Sequence, residues 1–265
     1  MIAIKNPQQI AVMAEGGKIL ADILKHIGEE AVPGATTKEL DELALKLVIE
    51  HHVEPAFLDY EVAGYRYPAT LCVSVNDEVV HGLPSSRALK FGDLVGLDMG
   101  IIYKGWNLDS ALTIPVLNRS SWAEDHAEWE EKNPRIAELI QTTWEALELG
   151  IVEARPGNRI GQISSAIQAH VDQHGFGVVR DLVGHGVGRN LHEEPAIPNF
   201  GTPDEGPIIK EGMVLAIEPM ITAGSWEIVL QKDHWTYKTK DGSWAAHFEH
   251  TVAVTKDGPV ILTKL

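Results

Sequence analysis

Three stretches of this chain recur in the same order in its second half, and that recurrence constrains the fold more than any other feature. A turn at Pro33-Gly34 precedes a helical stripe of Leu40, Leu43, Ala44 and Val48. Pro156-Gly157 precedes Ile163, Ala166, Ile167 and Val171 at a constant offset of 123 positions (Pro33 to Pro156), which also carries His51 onto His174. Further on, GDLVGLDM at 92–99 resembles GMVLAIEP at 212–219 and sets Asp98 opposite Glu218. Asp109 and Glu249 then each open a β-rich run, DSALTI at 109–114 and EHTVAV at 249–254. Pro-Gly turns and amphipathic helices are common, but three matches in one order are hard to reach by chance. The pattern predicts a single domain over 1–265 made of two related α+β halves, roughly 1–117 and 135–265. Two units make a duplication and not a solenoid.

Other segments fill in this frame. Apolar residues from Ile10 to Leu24 keep helical spacing between Pro7 and about His26. Thr36-Thr37-Lys38-Glu39 offers a helix start of the capping-box type. The stretch 118–134 carries Glu124, Asp125, Glu128, Glu130 and Glu131 against Arg119 and Lys132, and reads as an exposed acidic connector whose Trp122 and Trp129 serve packing. A helix over roughly Arg135 to Leu149 follows Pro134.

Asp98 ends the apolar run Leu94-Val95-Gly96-Leu97, the form of a strand that delivers a carboxylate to its tip. A lone Asp there would be an ordinary turn residue. Asp109, however, lies eleven positions on, past a turn at Tyr103-Lys104-Gly105, and leads into a second strand. Adjacent antiparallel strands would set the two carboxylates side by side, where they repel unless protonated or bridged by cations. Glu218 sits in Val214-Leu215-Ala216-Ile217-Glu218-Pro219 and Glu249 follows His247-Phe248, both in apolar surroundings where a charge needs a partner. Either glutamate alone could pair with an Arg across a sheet. The repeat instead makes them counterparts of Asp98 and Asp109, and four strand-borne carboxylates converging on one axis call for a pair of divalent ions.

The densest local signal is GHGVGRNLHEEP at 184–195. Its glycines permit close backbone approach, but their spacing is neither a dinucleotide fingerprint nor a phosphate-binding loop. His185 and His192 flank the run, and two histidines in that apolar context mark a site better than the glycines do.

Composition narrows the chemistry. Cys72 is the only cysteine, so thiolate zinc sites and disulfides within the chain are excluded. The formal charge of −16, without a Lys/Arg cluster, argues against DNA, RNA backbones and anionic membranes as partners. Four carboxylates facing two divalent ions would bring that charge only to about −12. No apolar run is long enough to span a bilayer, and the opening MIAIKNPQQIAVMAEGG lacks a signal-peptide pattern, so a cytoplasmic location is expected.

Together these residues resemble the type I methionine aminopeptidases, metallopeptidases of the pita-bread fold. The matching stretches are SVNDEVVHGLP (74–84), GDLVGLDMGIIYKGWNLDSA (92–111), GHGVGRNLHEEP (184–195), GMVLAIEPM (212–220) and HFEHTVAVT (247–255), in the family's order. The resemblance covers nearly the whole chain. It implies two pseudo-symmetric halves whose antiparallel strands form a central curved sheet covered by helices. It implies two divalent metal ions (Mn, Fe(II), Co or Zn) held by Asp98, Asp109, His185, Glu218 and Glu249, with His81, His192 and Glu218 as catalytic residues. His81 and His192 match the family's substrate-contacting histidines, and a methionine pocket is expected from Phe57, Tyr60, Tyr67, Cys72, Leu191 and Trp235. Two departures stand out: a few extra residues within Glu61 to Tyr67, and Gly100 where a hydroxyl residue is expected two positions after Asp98.

The implied reaction is removal of the N-terminal methionine from nascent proteins and peptides, with preference for a small second residue. In it, hydroxide activated between two metals attacks the first peptide bond. Transient ribosome association and a monomeric state come with the family. The nearest alternatives are a prolidase or Xaa-Pro aminopeptidase, which share the ligand types but carry a separate N-terminal domain. A non-catalytic binding protein on the same fold would have lost ligands, and none is lost.

Overall fold

The computed structural model describes residues 2–264. Five helices are present among them: α1 (Pro7–Glu30), α2 (Thr37–Glu50), α3 (Trp122–Lys132), α4 (Pro134–Glu153) and α5 (Ile160–Gln173). None is long and apolar enough to cross a membrane. Capping boxes start α1 and α2: Asn6 and Thr36 accept from the backbone N–H of Gln9 and Glu39, whose side chains accept from the cap residues' own N–H groups. The helix α1 continues a turn past His26, because Ile27 prolongs its buried stripe.

The offset of 123 positions holds in three dimensions. Helices α2 and α5 are each 14 residues long. The buried positions Leu40, Ala44 and Val48 recur as Ile163, Ile167 and Val171, and His51 and His174 are the two C-cap residues. The residue before each helix makes an isolated bridge, Thr36 with Ala88 and Arg159 with Ile208. The acidic connector is not extended chain but a short 3-10 turn followed by α3. Of its tryptophans, Trp129 is buried and donates from Nε1 to the Gly92 carbonyl at 3.3 Å, whereas Trp122 is half exposed.

The strands are β1 (Glu54–Pro55), β2 (Glu61–Val62), β3 (Tyr65–Arg66), β4 (Cys72–Val75), β5 (Glu78–Val80), β6 (Leu94–Tyr103) and β7 (Trp106–Pro115). After α5 come β8 (Gly177–Val178), β9 (Gly184–Gly186), β10 (Glu193–Ile197), β11 (Val214–Ile217) and β12 (Met220–Thr222). The chain closes with β13 (Ile228–Leu230), β14 (Tyr237–Thr239), β15 (Ala245–His247), β16 (Glu249–Thr255) and β17 (Gly258–Ile261). The large curved sheet runs β1-β6-β7-β16-β11-β9-β10, with β4 also on β6 and β17 also on β16, and every pairing is antiparallel.

Strand alternation separates core from site. On β6, Val95, Leu97, Met99 and Ile101 point into an apolar core shared with α1 and α2. Gly96, Asp98 and Gly100 therefore point to the opposite face. A second core packs α4 and α5 against Leu215 and Ile217 of β11. The helices thus cover one face of the sheet, and the acidic residues lie on the other.

Candidate functional site

Register decides which side chains meet. Asp98 pairs with Ala111 across β6 and β7, and Gly100 pairs with Asp109. Ala111 in turn pairs with Glu249 on β16. One step along, Thr251 closes on Asp109: its hydroxyl donates to the Asp109 carbonyl at 2.8 Å and accepts the Asp109 N–H at 2.9 Å. Thr251 pairs with Ala216 of β11, and Ala216 with His185 of β9. Glu218 follows directly after β11. All five ligand candidates therefore share one face. Asp98, Asp109, His185 and Glu249 are buried. His185 Nε2 lies 3.5 Å from Glu218 Oε1 and 3.9 Å from Asp109 Oδ2.

Two glycines make the crowding feasible. A Cβ on Gly184 would stand 2.5 Å from the Ala216 carbonyl oxygen, and one on Gly186 would stand 2.3 Å from that of Glu194. His185 is thus held between strands that no larger neighbours would allow so close. Its Nδ1 donates to the Gly186 carbonyl at 2.9 Å. A carbonyl only accepts, so the hydrogen sits on Nδ1 and the lone pair is on Nε2, the ligand-ready tautomer.

The electrostatics are those of a site built for cations. Burial pushes the carboxyls of Asp98, Glu218 and Glu249 well above their ordinary range, with neighbouring carboxylates adding to it. Burial likewise raises Asp109, to about 7. His185 is lowered to about 3 by burial and then by His192, so its imidazole is neutral. Asp98 Oδ1, Asp109 Oδ1 and Glu249 Oε1 are buried without a hydrogen-bond partner. Among the described residues, these acids have ion-pair partners only in histidines and none in Lys or Arg. Donor atoms of Asp109, His185 and Glu249 lie within 4.8 Å of one another. Orphaned oxygens, a bare imidazole nitrogen and the absence of any organic cation fit divalent metals and fit little else.

The other candidates complete the cleft. His81 follows β5 with a positive φ of 57°, beside Gly82, whose α-carbon has the Val73 carbonyl so close that a Cβ would clash at 2.3 Å. Burial, then His192, lowers His81 to about 4. His192 packs edge-on to His185 at 4.3 Å between ring centroids, and its Nδ1 is 2.6 Å from the Tyr60 hydroxyl. Burial lowers its basicity too. Phe57, Tyr67, Cys72 and Leu191 are buried in one apolar cluster, with Tyr60 and Trp235 packed against it. Tyr67 meets Trp235 edge-on at 5.1 Å and Phe57 at 6.4 Å. Every residue singled out from the sequence lines this cleft, together with Val62.

Both departures noted in the sequence have a physical account. The extra residues are a hairpin of β2 and β3 whose turn, Ala63-Gly64, has two positive φ angles (51° and 85°) and whose base is closed by a hydrogen bond from the Tyr67 N–H to the Tyr60 carbonyl. Gly100 offers no hydroxyl to Asp98, whose Oδ1 is buried without a hydrogen-bond partner. The glycine leaves room for Phe57, whose Cε1 would stand 2.8 Å from a Cβ there. Thr251 places a hydroxyl beside the cluster, bonded to the backbone N–H and carbonyl of Asp109 and not to a carboxylate. Sequence reasoning missed that threonine and also His247, a buried histidine on β15 whose Nε2 lies 3.6 Å from Glu218 Oε2.

The family model of metallopeptidase family M24 matches residues 11–256. Methionine aminopeptidase 1 of Bacillus subtilis is 44% identical over 265 residues, covering all of both chains. The solved methionine aminopeptidase of Thermotoga maritima superposes with a TM-score of 0.90 at 44% identity, again over all of both chains. The chain belongs to the methionine aminopeptidase family. Within that family the Aquifex aeolicus relative is 43% identical over 270 residues. A prolidase from Pyrococcus horikoshii shares the fold at a TM-score of 0.75 and 22% identity, matching 63% of its own chain.

Proposed function

We propose that this protein removes N-terminal methionine from peptides and nascent proteins, with a preference for a small second residue. The observation that carries the reading is the convergence of five hard and borderline ligands on one sheet face, directly beside an apolar pocket. Asp98, Asp109, His185, Glu218 and Glu249 would hold two divalent ions between them. When bound, such ions supply Lewis acidity that makes water nucleophilic near neutral pH and polarises the carbonyl under attack.

The chain's own groups divide the remaining work. Glu218 takes the proton of the attacking water. Tyr60, whose hydroxyl is raised by burial and by Asp109, keeps its proton and donates to His192 Nδ1. That leaves the His192 hydrogen on Nε2, as a donor to the oxyanion. His81, neutral at working pH, contacts the scissile amide nitrogen. Phe57, Tyr67, Cys72, Leu191 and Trp235 receive the methionine side chain, and the acidic cluster draws the free α-amine, which makes the enzyme an exopeptidase.

The same reading includes a cytoplasmic monomer, formed by duplication of one α+β unit, that meets nascent chains as they leave the ribosome. Strong electrostatic docking there is disfavoured by the acidic helix α3. Initial rates on Met-Ala, Met-Lys and an Xaa-Pro peptide, with metal-free protein given Mn, Fe(II), Co or Zn in turn, test it. Met-Ala should be the preferred substrate, and a preference for Xaa-Pro would overturn the assignment.

A further inference from the structure

A second set of ligand-type side chains lies away from the cleft, where α4 packs on α5. His170 in the last turn of α5 and His174 at its C-cap stand four positions apart, so both rings leave the same side of the helix end. Their centroids are 4.8 Å apart with the planes tilted by 52°. Glu145 of α4 faces them, its Oε2 3.0 Å from His170 Nε2. One donor atom from each of Glu145, His170 and His174 lies within 4.8 Å of the other two.

The 3.0 Å approach of Glu145 to His170 is close to the separation of two ligands on one ion, and His174 lies near enough to join them. Two donors on one tetrahedral centre, each about 2.0–2.2 Å from it, stand roughly 3.3 Å apart. Despite its short approach to Glu145, His170 Nε2 is buried without forming a hydrogen bond. The supporting contacts are also those of a ligand set. Glu138 holds His174 Nδ1 at 3.2 Å through Oε1 and accepts from Arg135 through Oε2, the kind of outer contact that orients a ligating imidazole. Gln141 donates to Glu145 at 2.6 Å and holds its carboxyl below the ordinary range, keeping it ionised. Among the described residues no Lys or Arg pairs with Glu145, and Glu148 lines the same depression.

We propose that Glu145, His170 and His174 form a separate divalent-cation site that ties α4 to α5. Two imidazoles and one carboxylate suit a borderline transition ion such as Zn²⁺ or Ni²⁺ and leave a fourth position for water. Neither histidine has a part in the hydrolysis described above. The alternative is two independent ion pairs, His170 with Glu145 and His174 with Glu138.

The test is metal stoichiometry on the loaded enzyme. Protein with its cleft ions in place is titrated calorimetrically with Zn²⁺ at pH 7.5, desalted and assayed for bound metal, in wild type, His170→Ala, His174→Ala and His170→Gln. The expected result is one additional equivalent in the wild type at micromolar free Zn²⁺, accompanied by a rise in Tm. All three variants should lose that equivalent while keeping wild-type turnover of Met-Ala, which reports an intact fold and cleft. An equal metal content in wild type and variants, or extra binding only at millimolar Zn²⁺, would overturn the proposal and leave the cleft assignment untouched.

Discussion

His247 stands against Glu218, with Nε2 3.6 Å from Oε2, and that nitrogen is buried without a hydrogen-bond partner. Burial and the neighbouring His81 lower its basicity to about 3, so it is a neutral ring. It flanks Glu218 together with His185 and restricts where that carboxylate can swing. His247 is a positioning residue on this reading. Loss of such an outer partner costs about 10–100-fold in activity or metal affinity. His247→Leu is expected to lower kcat by that factor with little change in KM, and His247→Gln to recover most of it. Steady-state rates on Met-Ala check this, and equal loss in both variants would reduce His247 to packing.

Glu249→Gln should act oppositely on activity and on the stability of metal-free protein. Four clustered carboxylates without cations destabilise one another, so removing one charge should raise the Tm of the metal-free form, by about 2–4 °C per kcal/mol for a chain of this size. The same change removes one of the groups that would hold metal and should abolish turnover. Scanning calorimetry of metal-free and metal-loaded protein, beside initial rates, separates the two effects.

Much of this was legible in sequence, for a physical reason. A carboxylate on an otherwise apolar strand violates the burial pattern, and Asp98, Glu218 and Glu249 announced themselves in that way. The helical repeat was legible because caps and apolar spacing are local. His247 carries no such local cue. Its role arises when Met220 pairs with His247 across β12 and β15, two residues after Glu218. Thr251 likewise acquires its role only from the β7–β16 register. The trio of Glu145, His170 and His174 depends on how two helices pack, which spacing along one chain does not encode. The β2–β3 hairpin was visible as extra length but not as a wall of the cleft.

Metal-free protein should lose stability as pH rises. Asp109 titrates near 7 in the folded chain and near 4 when unfolded, because burial raises it. A carboxyl raised in the folded state contributes its full stabilisation below about pH 4 and loses it as pH climbs through about 7. Ligand protons must also leave before metal binds, so metal affinity should increase over the same range. The gap in Tm between loaded and metal-free protein should therefore widen from pH 5.5 to pH 8. A constant gap in differential scanning fluorimetry would contradict the burial of uncompensated acids.

Gly100→Ala should alter substrate binding and spare the metals. The new Cβ would press on Phe57 at 2.8 Å, and overpacking of that kind costs about 1–3 kcal/mol. The displaced ring narrows the apolar pocket, so KM for Met-Ala should rise by roughly tenfold with unchanged metal content. Unaltered KM would remove Phe57 from the pocket wall.

The most direct measurement combines metal content with initial rate on Met-Ala for wild type and Asp109→Asn. The account predicts two ions per chain in the cleft and metal-dependent turnover in the wild type, and loss of both ion retention and turnover in the variant. Full activity in Asp109→Asn, or in thoroughly metal-free wild type, would contradict it.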